Sequence, residues 1–417
     1  MQIIAELLRD IRIPRMAKVR QHFDAPELPD VADAVRREVR EAGVLSRIAP
    51  GNRVAIAVGS RGVAEIAAIA REVVRAVKAA GGHPFIVPAM GSHGGATAEG
   101  QQEVLESLGV TEAFVEAPIC SSMEVVEVGR LPNGLPVYID KNAYSADKII
   151  VINRIKPHTA FRGPVESGLM KMITIGLGKQ RGADAAHAYS FKYMAEHVQE
   201  MAKVMIARTP IIFGVGTIEN AFERPARIVA IPAEKLADEE PKLLLEAKAL
   251  MPRILFDPLD VLVVDEIGKD ISGDGMDPNI TGRFGTPFAS GGVRAARTVV
   301  LGLSERTHGN ANGIGMADIT TRRVFEEIDW AKGYANALTS TVVEMVKLPM
   351  FLETGELAVK AAIKTCTAFD LDRVRLVRIE NTLHLREIWI SESLLPEARE
   401  REDIEVLSDL QVMNFSE

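Results

Sequence analysis

Short apolar runs alternate with amphipathic stretches along most of this 417-residue chain. Arg53-Val-Ala-Ile-Ala-Val58 has the β-branched, uninterrupted pattern of a buried strand, and Gly59-Ser60-Arg61-Gly62 closes it. The stretch from Val63 to Ala80 sets Ile66, Ile69, Ala70, Val73, Val74 and Val77 on one helical face and stops at Gly81-Gly82. A second strand, Pro84-Phe-Ile-Val-Pro88, leads into Met90-Gly-Ser-His-Gly-Gly-Ala-Thr97, where Thr97 is placed to cap the next helix. A strand, helix, strand unit of this kind is right-handed with parallel strands.

The same alternation continues. Glu124–Val128 and Pro136–Ile139 flank Pro132-Asn-Gly134 and predict a hairpin. Ala146-Asp-Lys-Ile-Ile-Val-Ile152 and Ile211–Val215 read as buried strands, with a helix of Met194, Val198, Met201, Val204 and Met205 between them. Those methionines read as core. Glu239–Ala249 predicts a charged helix, and Pro252–Pro258 a hinge. Beyond it, Val261–Val264, Arg297–Leu301, Val374–Arg378 and Leu385–Ile390 predict strands, with helices around Val324–Leu338 and Leu357–Thr365. Residues 1–50 read as an irregular arm and a polar helix over Asp30–Ala42. The length exceeds one core, so the expectation is two α/β domains, 1–255 and 256–417, with the active site in the cleft between them.

Composition narrows the class. The chain is 47% hydrophobic, 25% charged and 5% aromatic with 33 Gly, a profile of a globular enzyme rather than a disordered chain. A net charge of −8 argues against nucleic-acid binding, which needs clustered basic surface. Two cysteines, Cys120 and Cys366, build neither a disulfide framework nor a thiolate metal site. The first residues are interrupted by Glu6, Arg9 and Asp10 and lack a signal-peptide core, and no apolar run is long enough to span a bilayer. The expectation is a cytoplasmic protein with no membrane partner.

The chemistry gathers in 153–187. His158 ends the strand that precedes it, Lys171 sits among Leu169, Met170, Met172 and Ile173, and His187 follows glycines 176, 178 and 182. On a straight helix, sixteen positions put Lys171 and His187 roughly 160° apart, so they converge only if the chain bends at those glycines. Arg61 and His93, each flanked by glycine, follow the first two strands. The plain alternatives are a turn histidine, a surface arginine and a solvated helix lysine. Zinc needs three converging ligands and an H-x-x-x-H pair is absent. A Schiff-base lysine remains open, because apolar neighbours favour the neutral amine. No G-x-G-x-x-G or G-x-S-x-G motif supports dinucleotide binding or a serine nucleophile. Asp270, Ser272 and Asp274 with Gly275 suggest a calcium loop, but Thr281 stands where its bidentate glutamate belongs.

Gly91-Ser-His93 before a Thr-containing helix start, Lys156-Pro-His158, and Lys171 followed by His187 resemble the nickel-pincer cofactor-dependent lactate racemase family, as a divergent branch. The resemblance covers residues 50 to about 320 well and the rest by order only. It implies an isomerase: a racemase or epimerase of α-hydroxy acids using nickel pyridinium-3,5-bisthiocarboxylic acid mononucleotide and proton-coupled hydride transfer. Lys171 would hold this cofactor covalently, with Ser92 and Thr97 contacting it, and His187 would ligate nickel. His93 and His158 would be the acid/base pair, and Arg61 with Ser60 would bind the substrate carboxylate. Cofactor-synthesis enzymes would be partners; an oligomer stays open. Gly94-Gly95 replace the Arg-Pro usual after the loop histidine, Val58 replaces an acidic residue, and the His158–Lys171 segment is long and contains Glu166. These departures lead us to expect a substrate larger or more polar than lactate. The rival readings are a non-catalytic cofactor binder and a metal-dependent lyase or hydrolase on the same scaffold.

Overall fold

The computed structural model describes residues 2–59, 62–368 and 370–415. The chain divides into two α/β bodies. Asp24–Met251 forms one; Met1–Phe23 joins Pro252–Glu417 to form the other. The expected division placed the N-terminal arm with the first body. Instead the arm contains a strand, β1 (Met16–Gln21), that is laid into the C-terminal sheet.

In the 24–251 body the strands are β2 (Arg53–Val58), β3 (His83–Pro88), β4 (Val125–Arg130), β5 (Pro136–Asp140), β6 (Lys148–Arg154), β7 (Ile211–Glu219) and β8 (Pro225–Pro232). Five of them form one sheet in the order β3-β2-β6-β7-β8, parallel except for the antiparallel edge strand β8. The expected hairpin is the separate pair β4 and β5, bulged between Glu127 and Gly129. One sheet face is covered by the Val31–Glu41 and Ile66–Ala79 helices, whose Val35, Val39, Ile69, Val73 and Val77 pack on Ile56, Val58, Ile150 and Phe213. On the other face Leu169 comes so close to Gly214 that a Cβ there would stand 2.9 Å from its Cδ1. Met194, Val198, Met201 and Met205 are fully buried in the Met194–Arg208 helix, as core residues.

The second body carries β9 (Leu259–Val264), β10 (Ala295–Val300), β11 (Ile319–Thr321), β12 (Met350–Leu352), β13 (Leu376–Ile379), β14 (Glu387–Ser391) and β15 (Ile404–Val406). With β1 they make an eight-stranded sheet, β12-β11-β10-β9-β13-β14-β1-β15. The run from β12 to β13 is parallel, and β14, β1 and β15 are antiparallel to their neighbours. The helix expected over Val324–Leu338 is two helices, Arg322–Glu327 and Trp330–Ser340. Ile328 is extended (ψ 123°), and Asp329 starts the second helix by accepting from the Lys332 amide. An Asp followed by a helix former is a start signal that periodicity alone overlooks. No described helix is long and apolar enough to cross a membrane.

One buried carboxyl decides how the turn bearing Lys171 sits on its sheet. Glu240, in the Leu236–Leu250 helix, accepts from the amides of Met170 (2.9 Å) and Leu169 and so caps the Leu169–Lys171 turn. Only glycine at 168 permits this approach, because a Cβ there would meet the carboxylate. Burial pushes the Glu240 carboxyl up to about 7, against the opposing pull of those amides. A carboxyl raised in the folded state stabilises it below the unfolded value near 4.5, and that stability is lost as pH rises through 7. The difference amounts to about 3 kcal/mol. Glu240→Gln is therefore expected to flatten the pH dependence of the unfolding free energy between pH 4.5 and 7, read by urea titration at several pH values. Identical wild-type and variant profiles would remove this carboxyl as the cause.

Candidate functional site

Strands β3, β2 and β6 run parallel and end on the same sheet edge, where ligands collect in open α/β sheets. The described residues leaving that edge are 89–97, 59 with 62–65, and 155–168. Gly59 and Gly91 lie against the chain from Met172 to Gly176. A Cβ on Gly59 would lie 2.7 Å from Met172 Cε, and the Gly91 amide donates to the Gly176 carbonyl at 3.2 Å.

The path from Lys171 to His187 is not one helix. Leu169–Lys171 is a single α turn, Met172–Gly176 is π-helical, and a new helix runs from Lys179 to His187. A π segment widens the turn and resets the angular register, so the sixteen-residue spacing no longer separates the two side chains. The bend falls at Gly178, as the glycines suggested, yet the left-handed residue is Lys179 (φ 56°). Its ammonium is wholly buried and bonded to the Pro88 carbonyl, to Gln101 Oε1 (2.9 Å) and to Asp140 (3.3 Å). Gln101 Nε2 in turn donates to the carbonyls of Gly91 (2.8 Å) and His93 (3.3 Å). Burial pushes the Asp140 carboxyl up and the Lys179 ammonium down, and the charge of each opposes the shift of the other.

Around the bend, His158, Lys171 and His187 come into one electrostatic neighbourhood. Burial holds the His158 ring well below the ordinary imidazole value, and Lys171, His187, Lys156 and Arg162 push it in the same direction. Burial also lowers His187; its bond to Ala183 opposes this, and Lys171 adds to it. Phe191 lies between the rings, with centroids 5.2 Å from His187, edge-on, and 5.9 Å from His158. Both imidazoles are therefore neutral near pH 7. Their proton positions differ. His187 Nδ1 lies 2.7 Å from the Ala183 carbonyl, so it carries the proton and Nε2 keeps the lone pair. His158 Nδ1 accepts from the Ala160 amide at 3.0 Å, so its neutral ring carries the proton on Nε2.

The carboxylate of Glu166 pins the His158 loop. It is buried and accepts from the His158 amide (2.8 Å), Lys248 (2.6 Å) and Arg162 (3.2 Å), while Arg162 also donates to the His158 carbonyl (2.6 Å). Glu166 stood out in the sequence only as part of an extended loop. Gln101, Asp140, Lys179 and Glu240 gave no signal there, because a polar residue in an amphipathic stretch reads as solvated. Asp140 at a strand end and Lys179 beside glycines were the available clues.

The remaining expected residues divide. His93 is exposed and opens a short 3₁₀ turn whose base, Gly91, packs on Ile175 and Ala183, one helical turn before His187. Ser92 is half-buried in the same turn. Thr97 accepts from the Gly100 amide (3.1 Å), the expected cap, and donates to the Gly94 carbonyl (3.2 Å), so its hydroxyl shapes the His93 loop. Ser60 and Arg61 lie outside the described residues. Among the described residues no three His, Cys, Asp or Glu side chains group as a metal set. His187 thus offers one soft-to-borderline nitrogen, which suits a metal whose other ligands come from a bound molecule.

Two outcomes follow from this geometry. Lys179→Met leaves Asp140 buried beside no ammonium and should lower the unfolding free energy by about 3 kcal/mol, measured by urea titration at pH 7. A loss below about 1 kcal/mol would mean the pair is solvated in solution. Lys171→Met removes a positive neighbour, so the His158 pKa should rise toward its ordinary value in an NMR titration of the ring.

Residues 10–199 match the family model described as the lactate racemase N-terminal domain. The lactate racemase apoprotein of Thermoanaerobacterium thermosaccharolyticum is similar in structure, with a TM-score of 0.50 at 12% identity over 88% of this chain and 94% of that one. The crystal structure of a Thermotoga maritima protein is similar with a TM-score of 0.52, also at 12% identity, over 86% of this chain and 99% of that one. At that identity the likeness speaks for the fold. No curated protein sequence matches the chain. Residues 10–199, which include the strand-end loops of the 24–251 body, are thus similar to the lactate racemase N-terminal domain, and the chain as a whole shares the fold of the lactate racemase apoprotein.

Proposed function

We propose that the protein is a racemase or epimerase of α-hydroxy acids that works with a nickel-pincer nucleotide held on Lys171. The observation that carries this reading is the π-helical bend that brings Lys171 into the electrostatic neighbourhood of both His158 and His187. The residues present fit the group. A lysine among apolar side chains suits covalent attachment, and the His187 ring, with Nδ1 committed to Ala183, keeps its Nε2 lone pair for a metal. When bound, the cofactor would supply a hydride acceptor, which removes the need to deprotonate a weakly acidic Cα–H.

The chain's own residues would supply proton handling and orientation. His93 and His158 are the acid/base pair in this reading. The Ala160 amide sets a starting point for them: His158 meets the site as an Nε2–H donor to the substrate oxygen, and His93 receives the hydroxyl proton. For the opposite enantiomer the roles exchange, and His158 must then release Ala160 to move its proton. Burial keeps His158 neutral, and Lys156 and Arg162 add to this and favour an anionic substrate. Arg61 and Ser60 are assigned to the carboxylate of the reacting carbon.

A non-catalytic cofactor binder would need Lys171 and His187 and would have no use for the His158 tautomer. The test is intact mass and nickel analysis of protein co-produced with cofactor-synthesis enzymes. A nucleotide-sized adduct with nickel is expected in the wild type, with neither in Lys171→Ala. His158→Ala should keep both and lose turnover of hydroxy acids by at least about a hundredfold. An unmodified, nickel-free wild-type chain would end this reading, and full turnover in His158→Ala would end the acid/base assignment.

A further inference from the structure

One buried amide of the 24–251 body bonds two segments on which the reading above depends. Gln101 belongs to the Ala98–Ser107 helix and is wholly buried. The Lys179 ammonium donates to Gln101 Oε1 at 2.9 Å, and because an ammonium can only donate, the orientation of the amide is fixed. Nε2 therefore faces the other way and donates to the carbonyls of Gly91 (2.8 Å) and His93 (3.3 Å). Acceptor and donor of one amide are thus given to two segments far apart in sequence.

Each segment carries a candidate residue. Lys179 opens the helix that ends at His187, so its ammonium is tied to the far end of the His187 element. His93 stands before the Gly94–Ala96 turn, in which Gly94 and Gly95 are both left-handed (φ 64°). Glycine restrains a backbone least, and the loop's own backbone bonds are local and long. The His93 amide reaches Met90 at 3.1 Å, Ala96 reaches His93 at 3.3 Å, and Thr97 reaches Gly94 at 3.3 Å. The loop lies against the first turn of the helix that bears Gln101, where a Cβ on Gly100 would overlap the Gly94 carbonyl. A glycine-paired loop is placed by what bonds it from outside, and here that bond also reaches the His187 helix. We propose that Gln101 is a positioning residue that fixes the backbone of His93 relative to the helix ending in His187, and so sets the acid/base histidine against the metal site. This inference rests on the proposed function, which gives His93 and His187 their tasks.

The test uses Gln101→Met, which keeps the length of the side chain and removes its bonds on both sides. Gln101→Glu serves if that variant does not fold, because it keeps an acceptor for Lys179 and leaves no N–H for the two carbonyls. In cofactor-loaded full-length enzyme, with lactate and malate as substrates, kcat should fall about tenfold while KM stays within about twofold. Adduct mass and nickel content should match wild type. Combined with His93→Gln, the Gln101 substitution should cost no further activity, because a residue that acts through His93 then has nothing left to position. Labelled histidine rings give a readout that needs no cofactor. With the His93 signal assigned from His93→Gln, it should move in the Gln101 variant while those of His158 and His197 hold.

Undiminished kcat in a folded variant, or a His93 signal that does not move, would overturn the proposal. A loss that multiplies with that of His93→Gln would also overturn it, as would His158 and His197 signals that move as far as His93, because both mark damage to the whole body. Loss of adduct or nickel would overturn it by giving Gln101 to the holding of the cofactor. The two readings fail separately. If the wild type carries no adduct and turns over neither acid, the proposed function falls, and the ring signals alone decide whether Gln101 places His93.

Discussion

The strand-end loops of the 24–251 body depend on one buried ammonium. Lys179 ties the Pro88 carbonyl, Asp140 and Gln101 together at the point where the chain turns from the π segment into the His187 helix. Gln101 extends the tie to the carbonyls of Gly91 and His93. A left-handed backbone at a lysine costs energy that glycine would not. It persists because the side chain reaches three partners that no glycine could bond. A buried pair of this kind is weak evidence for net stability, but it fixes one arrangement among several that packing alone would allow.

That constraint explains the order of the surrounding pieces. With the bend fixed, Lys171 stands just before the π turn within electrostatic reach of His158 and His187, and the following helix returns His187 toward His158 with Phe191 as the spacer. Glu166 and Glu240 act from beneath, one on the backbone of His158 and the other on the turn before Lys171. Each of these candidate side chains is thus held in place by a carboxylate or a carbonyl of the scaffold.

Much of the fold was legible, for a physical reason. Buried parallel strands such as β2, β6 and β9 are continuous apolar runs, and the helix bearing Ile69, Val73 and Val77 has a strong face, so periodicity alone locates them. β1 was not legible. Met16-Ala-Lys-Val-Arg-Gln21 alternates weakly and pairs with strands more than three hundred residues later, information that no local window holds. The site was legible in its cast but not in its geometry. Lys171, His158 and His187 stood out by residue type, and a bend was expected from the glycines. The π turn, the buried lysine that makes the bend, and the amide that sets the His158 tautomer come from tertiary contacts. The double helix over 322–340 was missed because apolar spacing carries across Ile328 while the backbone does not.

The placement of β1 also bears on how the chain is made. The 24–251 body is continuous in sequence, so all of its strands are available once that segment has emerged from the ribosome. The eight-stranded sheet is not. Its second-to-last position is taken by a strand synthesised more than three hundred residues before β14 and β15, which flank it. Until those strands are made the 16–21 segment waits without a partner on either side, an open strand. Its pairing face carries Lys18 and Arg20, which later bond Glu387 and Glu405. Two charges on six residues keep a waiting strand from finding the wrong edge.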